Sequence, residues 1–484
     1  MFPLCLAFAP SPVGIVALSV VFIVLAIGVF RLHAFFALLL AAALVGILTV
    51  ANQTGDQRFT KAVDAVMTEF GTTAGKLGCS IALAAVIGIA LMESGAADRI
   101  VRQLIRVLGE QRAALALCGC SFFLAGPVFV DTVFMLMLPL ARALAVRTGR
   151  DYVLYVMAIG AGGVVANGLV PPSPGPLFVA DALKIEIGKA IIVGVIFGVL
   201  PALGGLAVAR WFNARITIPP RPLAPSNAEA STAPVERPES ALPGFWISLA
   251  PVLLPLVLIA ADAIVALRGP IAAPSAVTAA LHFFGNKNVA LFLGALIALG
   301  VQARQKHIAW RGVGSLFGKP LETAGIIILI VSAGGAYGAM IKNAGIGEQL
   351  KSFALGDHPN HPLVAQALTG LIHHHVLLAW VITAVIRGAQ GSATVATIAG
   401  AGIMMSIAGH GGFSVHPIYI FLAIGFGSKF LPWMNDAAFW VVSRMSGFTQ
   451  GEMLRTWSPV LSIISLLGLL EVLVASAIWP QLPF

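Results

Sequence analysis

An arginine in the middle of an apolar stretch limits what this chain can become. The run Arg387-Gly-Ala-Gln-Gly-Ser-Ala-Thr394 lies between residues 377–386 and 395–407, both strongly apolar. A charged side chain at membrane depth costs about 2.5 to 3.5 kcal/mol on insertion scales, and a backbone broken by glycines leaves amides that lipid cannot satisfy. Such a run must face protein or a water-filled cavity, so it reads as an internal site. A second polar break, Gly126-Pro-Val-Phe-Val-Asp131-Thr132, lies in the first half between 113–125 and 133–145.

The rest of the composition agrees with a membrane setting. With 58% hydrophobic and only 10% charged residues, 484 residues have too little polar surface to cover a soluble protein. The net charge of +9 comes from basic residues in short loops, as the positive-inside rule demands. No basic stripe or aromatic platform points to nucleic acid. Cys5, Cys79, Cys118 and Cys120 lack metal-site spacing and read as small buried residues.

Taken in order, the first half offers apolar spans at 13–30, 34–50 and 78–92, the last after a polar segment at 51–77. Residues 93–112 carry Arg99, Arg102, Arg106 and Arg112 opposite Ile100, Leu104, Val107 and Leu108, which suits either an amphipathic helix on the membrane surface or a solvated loop helix. The apolar stretch 113–145 has basic clusters on both sides and is too short for two full spans. If both clusters are cytoplasmic, it enters and returns on one side as a re-entrant hairpin. Residues 152–169 then cross, interrupted by Val170-Pro-Pro-Ser-Pro-Gly-Pro176, and 190–211 return.

Residues 217–244, rich in proline and small polar residues, read as a cytoplasmic linker. The plan then repeats, with spans at 246–267, 289–301 and 321–341, a polar stretch at 342–361 and a broken apolar region at 362–408. Residues 418–427 lead into a second interruption, Ser428 to Asp436, and 457–479 form the last span. The expected architecture is an all-α polytopic membrane protein. It has an inverted repeat of 1–216 (hairpin 113–146, broken helix 152–184) and 245–484 (hairpin 362–408, broken helix 416–445). Each half has about five spans and one hairpin, so the halves have opposite orientation. With both termini periplasmic, 18 of the 29 Lys and Arg are cytoplasmic, 9 lie outside, and Arg387 and Lys429 fall within the site.

Four motifs carry a family resemblance. Phe122-Phe-Leu-Ala-Gly-Pro-Val-Phe-Val-Asp131, Leu169-Val-Pro-Pro-Ser-Pro-Gly-Pro-Leu177, Ala384-Val-Ile-Arg-Gly-Ala-Gln-Gly-Ser-Ala-Thr-Val-Ala396 and Met434-Asn-Asp-Ala-Ala-Phe-Trp440 resemble the gluconate permease family of proton symporters, in the ion transporter superfamily. The resemblance implies a homodimeric elevator-type transporter in the inner membrane, with a fixed scaffold and a mobile part carrying two opposed hairpins. Its implied partners are a small organic anion, a proton and membrane lipid. Asn167 and Ser173 stand where many sugar-acid members have histidine, and Ala437-Ala438 replaces a Ser-Gly pair. Fewer hydroxyl contacts admit a shorter acid such as glycerate.

The site can be assembled from these pieces. Thr132, Ser173, Gln390, Ser392, Thr394 and Asn435 are candidates to hydrogen-bond the substrate near helix N-termini, and Arg387 to meet its carboxylate. Arg387 can equally serve as half of a structural pair with Asp131 or Asp436. These two carboxyls are the proton-coupling candidates, against a purely structural role fixed by Arg387, Lys429 or helix ends. His373-His-His375 resembles a metal site, but consecutive helical residues point about 100° apart, so no metal and no cofactor are expected. An intramembrane metalloenzyme would rest on that triplet alone, and the chain reads as a transporter. A cation/proton antiporter of the same superfamily is the alternative to a symporter, although Arg387 opposes cation binding.

Overall fold

A computed structural model describes residues 11–50, 57–126, 130–221, 238–266, 276–344, 374–408, 412–434 and 436–481. These residues are helical, with no strand among them. Seven helical stretches among them are long and apolar enough to cross a membrane.

The chain starts with α1 (Pro12–Gly28), whose first turn is set by Pro12 and by the Ser11 hydroxyl accepting from the Gly14 amide at 3.2 Å. Helix α2 (Ala34–Val50) buries Leu38, Ala41, Ala42 and Val45. Helix α3 (Arg58–Ser94) is much longer than the 78–92 span expected from hydropathy. Its first half is amphipathic: Ala62 and Val66 are buried while Lys61 and Asp64 face outward. That pattern escapes a hydropathy window but still supports a helix. At 37 residues, α3 is roughly 55 Å long, so its polar first turns extend past a hydrocarbon core of about 30 Å. Gly95, at φ 79°, ends it.

Helix α4 (Ala96–Leu108) buries Ala96, Ala97, Ile100 and Val101, leaves Arg99 and Arg102 half-buried and exposes Arg106. Arg102 pairs with Asp98 at 2.9 Å. Arg106 pairs with Glu239, near the end of the linker, and its hydrogen bond and charge hold that carboxyl below the usual range. There follow α5 (Ala113–Leu124), α6 (Val130–Thr148), α7 (Tyr152–Leu169), α8 (Pro174–Ala182) and α9 (Ile187–Asn213). After the linker come α10 (Phe245–Ala266), α11 (Ala276–Gly285), α12 (Lys287–Gln305) and α13 (Gly318–Asn343). The sequence reading assigned no element to α11. The last helices are α14 (His375–Gln390), α15 (Ala393–Ala408), α16 (Pro417–Gly427), α17 (Ala437–Ser446) and α18 (Gln450–Ile478).

Packing sorts these helices by partner. Helix α3 lies along α13, α2 packs on α13 and α12 on α3, while α1 and α10 flank α2 and α12. Elsewhere α7 is held between α5 and α9, and α16 between α14 and α18. These groups meet where α18 packs on α9 and α7 and where α10 packs on α9; α15 packs on α13 and α8, and α6 on α17. Close approach depends on missing side chains, as in membrane packing generally. A Cβ on Gly162 would lie 2.0 Å from the Cys118 carbonyl oxygen, so α7 and α5 touch backbone to backbone. Cys118 and Cys120 are buried thiols and Cys79 is exposed; none of the three is paired.

Candidate functional site

The polar run that opened the sequence reading is a helix break. Helix α14 ends at Gly391, whose φ of 86° suits glycine and whose N–H donates to the Arg387 carbonyl at 2.9 Å. Helix α15 restarts two residues later, with the Ser392 hydroxyl accepting from the Val395 amide at 3.3 Å. Thr394 is half-buried in its first turn. The side chain of Gln390 lies outside the described residues, as does His373.

A second break faces this one. Helix α16 stops at Gly427, residues 428–434 have no regular structure, and Asp436 caps α17 by accepting from the Ala438 amide at 3.0 Å. The other oxygen of that carboxylate accepts from Arg387 Nη2 at 2.6 Å. Both side chains are almost inaccessible, at 4% and 8%. Trp433 adds a second tie, its indole N–H donating to the Gly388 carbonyl at 2.8 Å. Asn435 lies outside the described residues.

The third break separates α7 from α8. Ser173 stands at the N-cap position of α8 and donates its hydroxyl to the Asn167 carbonyl at 2.6 Å, across the Pro171-Pro172 turn. A Cβ on Gly175 would lie 3.4 Å from the Thr397 side chain, so the start of α8 sits against α15. After α5, Asp131 and Thr132 occupy the first turn of α6. Residues 127–129 and the side chains of Asp131 and Thr132 lie outside those described.

Lys429 was not among the expected binding residues, yet it is only 3% exposed. It lies where the two interrupted helices cross: a Cβ on Gly168 of α7 would come within 2.1 Å of its Cε and 2.6 Å of its Nζ, and 3.3 Å from the Gly425 carbonyl of α16. Arg387 and Asp436 both exert their charge on it. A lysine between Gly427 and Pro432 was the available signal, masked because a cation next to a helix end ordinarily snorkels to water.

Arg387 Nε and Nη1 are buried and have no hydrogen-bond partner among the described residues. Buried donors left unpaired cost about 1 to 3 kcal/mol each, more when charged. With Lys429 alongside, two basic side chains accompany one carboxylate, an arrangement that suits an anion. At the other end of α14, His375 Nδ1 lies 2.8 Å from the Ser414 hydroxyl and accepts from the Ser414 amide at 2.9 Å. No cluster of three metal-ligating residues occurs among the described residues.

The family model for GntP family permeases matches residues 11–478. The chain belongs to this family. It is 32% identical over 461 residues to a gluconate permease of Pseudomonas aeruginosa, covering 93% of this chain and 94% of that one. It is 27% identical to the Gnt-II system L-idonate transporter of Escherichia coli K12, covering 96% and 99%. Among solved structures, the YdaH transporter of Alcanivorax borkumensis superposes with a TM-score of 0.61 at 14% identity, over 93% of this chain and 99% of that one. MtrF of Neisseria gonorrhoeae, titled as one of a class of antimetabolite efflux pumps, gives 0.61 at 16%, over 97% and 95%. These two likenesses concern the fold. This GntP family member is a multi-pass inner-membrane permease and not an enzyme.

Proposed function

We propose that this permease takes up gluconate or a related sugar acid or short hydroxycarboxylate, together with a proton. The observation that carries the reading is the pair of buried nitrogens on Arg387 that have no partner among the described residues. A substrate carboxylate satisfies one of them and a hydroxyl of the acid the other, and the charge-assisted hydrogen bonds so formed are the strong kind. Ser392, Thr394 and Ser173, with Thr132, Gln390 and Asn435, supply hydroxyl and amide partners for the rest of the acid. The names of the relatives point to the same substrate class. Asp436, ion-paired with Arg387 and capping α17, acts in this reading as a positioning carboxylate.

The transport movement is proposed on the packing. Contacts α2–α13 and α12–α3 mirror one another, as do α15–α8 and α6–α17, which supports two halves, 1–216 and 245–484, related by an inverted repeat. The helices around α3 and α13 would form the scaffold, and those carrying the breaks the moving part. Both termini are placed in the periplasm and 217–244 in the cytoplasm. Cation/proton antiport is disfavoured because Arg387 brings a fixed positive charge to the breaks.

Uptake of labelled gluconate, idonate, glycerate and a neutral polyol into proteoliposomes, with and without an inward proton gradient, tests the reading. Gradient-driven accumulation of at least one acid, with the polyol excluded, is expected. Failure of every acid, or equal uptake of the polyol, would overturn it.

A further inference from the structure

We propose that Lys429 carries the symported proton. The proposal rests on the anion-transport reading above and names the coupling group within it. Lys429 is a 3%-exposed lysine set against the backbone of Gly168, and its Nζ has neither a hydrogen bond nor an ion pair among the described residues. The carboxylate of the site does not fill that role, because Asp436 is engaged by Arg387 at 2.6 Å and by the first turn of α17.

The charged groups bearing on Lys429 are Arg387 from α14 and Asp436 from its own broken helix. Helix α7, which crosses it at Gly168, has its titratable side chains, Tyr152 and Tyr155, at its far end, and α15 has none. Asp131 of α6 is the remaining titratable residue at the breaks, its side chain outside those described.

Arg387 and Asp436 together are neutral, so a charged Lys429 leaves one positive charge without a counter-ion in a dry site. An isolated buried charge is strongly unfavourable. A substrate anion supplies the missing counter-charge, and a proton on Nζ supplies the anion's. Each makes the other's entry more favourable, and by linkage the effect is reciprocal. In the empty site the Nζ lone pair is free. A proton from water adds to it as the carboxylate settles on Arg387, and the two leave together as a neutral load. The site then crosses the membrane without an unbalanced charge whether loaded or empty, which is what obligatory symport requires.

The test measures proton uptake when gluconate binds to the full-length permease in weakly buffered detergent solution with a pH dye. The wild type should take up about one proton per bound anion, with affinity rising as pH falls. Lys429→Arg, permanently charged, and Lys429→Met, permanently neutral, should each bind whatever gluconate they still bind with no proton uptake and with a flat pH profile. Melting temperature identifies any variant that has failed to fold, and the other variant then decides. Wild-type proton uptake persisting in either folded variant would overturn the proposal, and its loss in Asp131→Asn alone would place the proton there. Gluconate binding by the wild type without proton uptake would end this inference but leave anion transport standing. Absence of gluconate binding by the wild type would count against the transport reading itself.

Discussion

Arg387 Nη2 lies 2.6 Å from Asp436 Oδ2, joining two helix breaks that are 49 residues apart in sequence. Neither side chain reaches solvent to any extent, and the same carboxylate also caps α17. The pair therefore fixes the guanidinium so that its remaining nitrogens point away from Asp436. An arginine already held in place loses less side-chain entropy when a ligand arrives, which favours binding.

Replacing Arg387 with lysine keeps the charge but removes the planar fork. One charged hydrogen bond is worth about 1.5 to 3 kcal/mol, so gluconate affinity should fall by about ten- to a hundred-fold. Titration calorimetry measures it, and an unchanged affinity would count against contact between the guanidinium and substrate.

Gly168→Ala places a Cβ where Lys429 now lies, at 2.1 Å from Cε. The end of a lysine can swing away, so the melting temperature should change little while gluconate affinity drops. A large loss of stability with unaltered affinity would mean that Lys429 only fills space.

Gly162→Ala meets backbone, not a flexible side chain, at 2.0 Å. Overpacking of this kind costs about 1 to 3 kcal/mol or more, so the permease should melt earlier. Gly119→Ala, on α5 with open space around it, should leave the melting temperature within error and serves as the control.

The part of this arrangement legible in sequence was the part written locally. Gly391 and Ser392 mark a helix end and a helix start by their own chemistry, and prolines 171, 172, 174 and 176 cannot continue a helix. The choice of Asp436 as the partner of Arg387 is a tertiary fact, and sequence spacing left it as one of two readings. The first half of α3 was hidden because its apolar residues, Ala62 and Val66, are spread along one face among charges, and α11 because ten residues are too few to stand out as a span. Lys429 was visible as a charge, but its burial depends on the crossing of α7 and α16 at Gly168 and Gly425.

The α5–α6 hairpin enters and leaves on one side in this reading, so single cysteines at positions 110 and 149 should both be labelled from the cytoplasmic face only. A background without the four native cysteines is needed. Labelling of just one of them from outside would require a full crossing instead.

The most direct test concerns Arg387 as the substrate's counter-charge. Gluconate affinity and melting temperature are measured for Arg387→Gln, Asp436→Asn and the double variant. Breaking a buried pair by removing one partner costs about 3 to 5 kcal/mol, so each single variant should melt earlier, and the double variant, which leaves no lone charge in the pair, should recover part of that loss. Gluconate binding should be lost in both variants that lack Arg387, whether or not stability returns. Recovery of stability with wild-type gluconate affinity in the double variant would show that Arg387 never touches substrate.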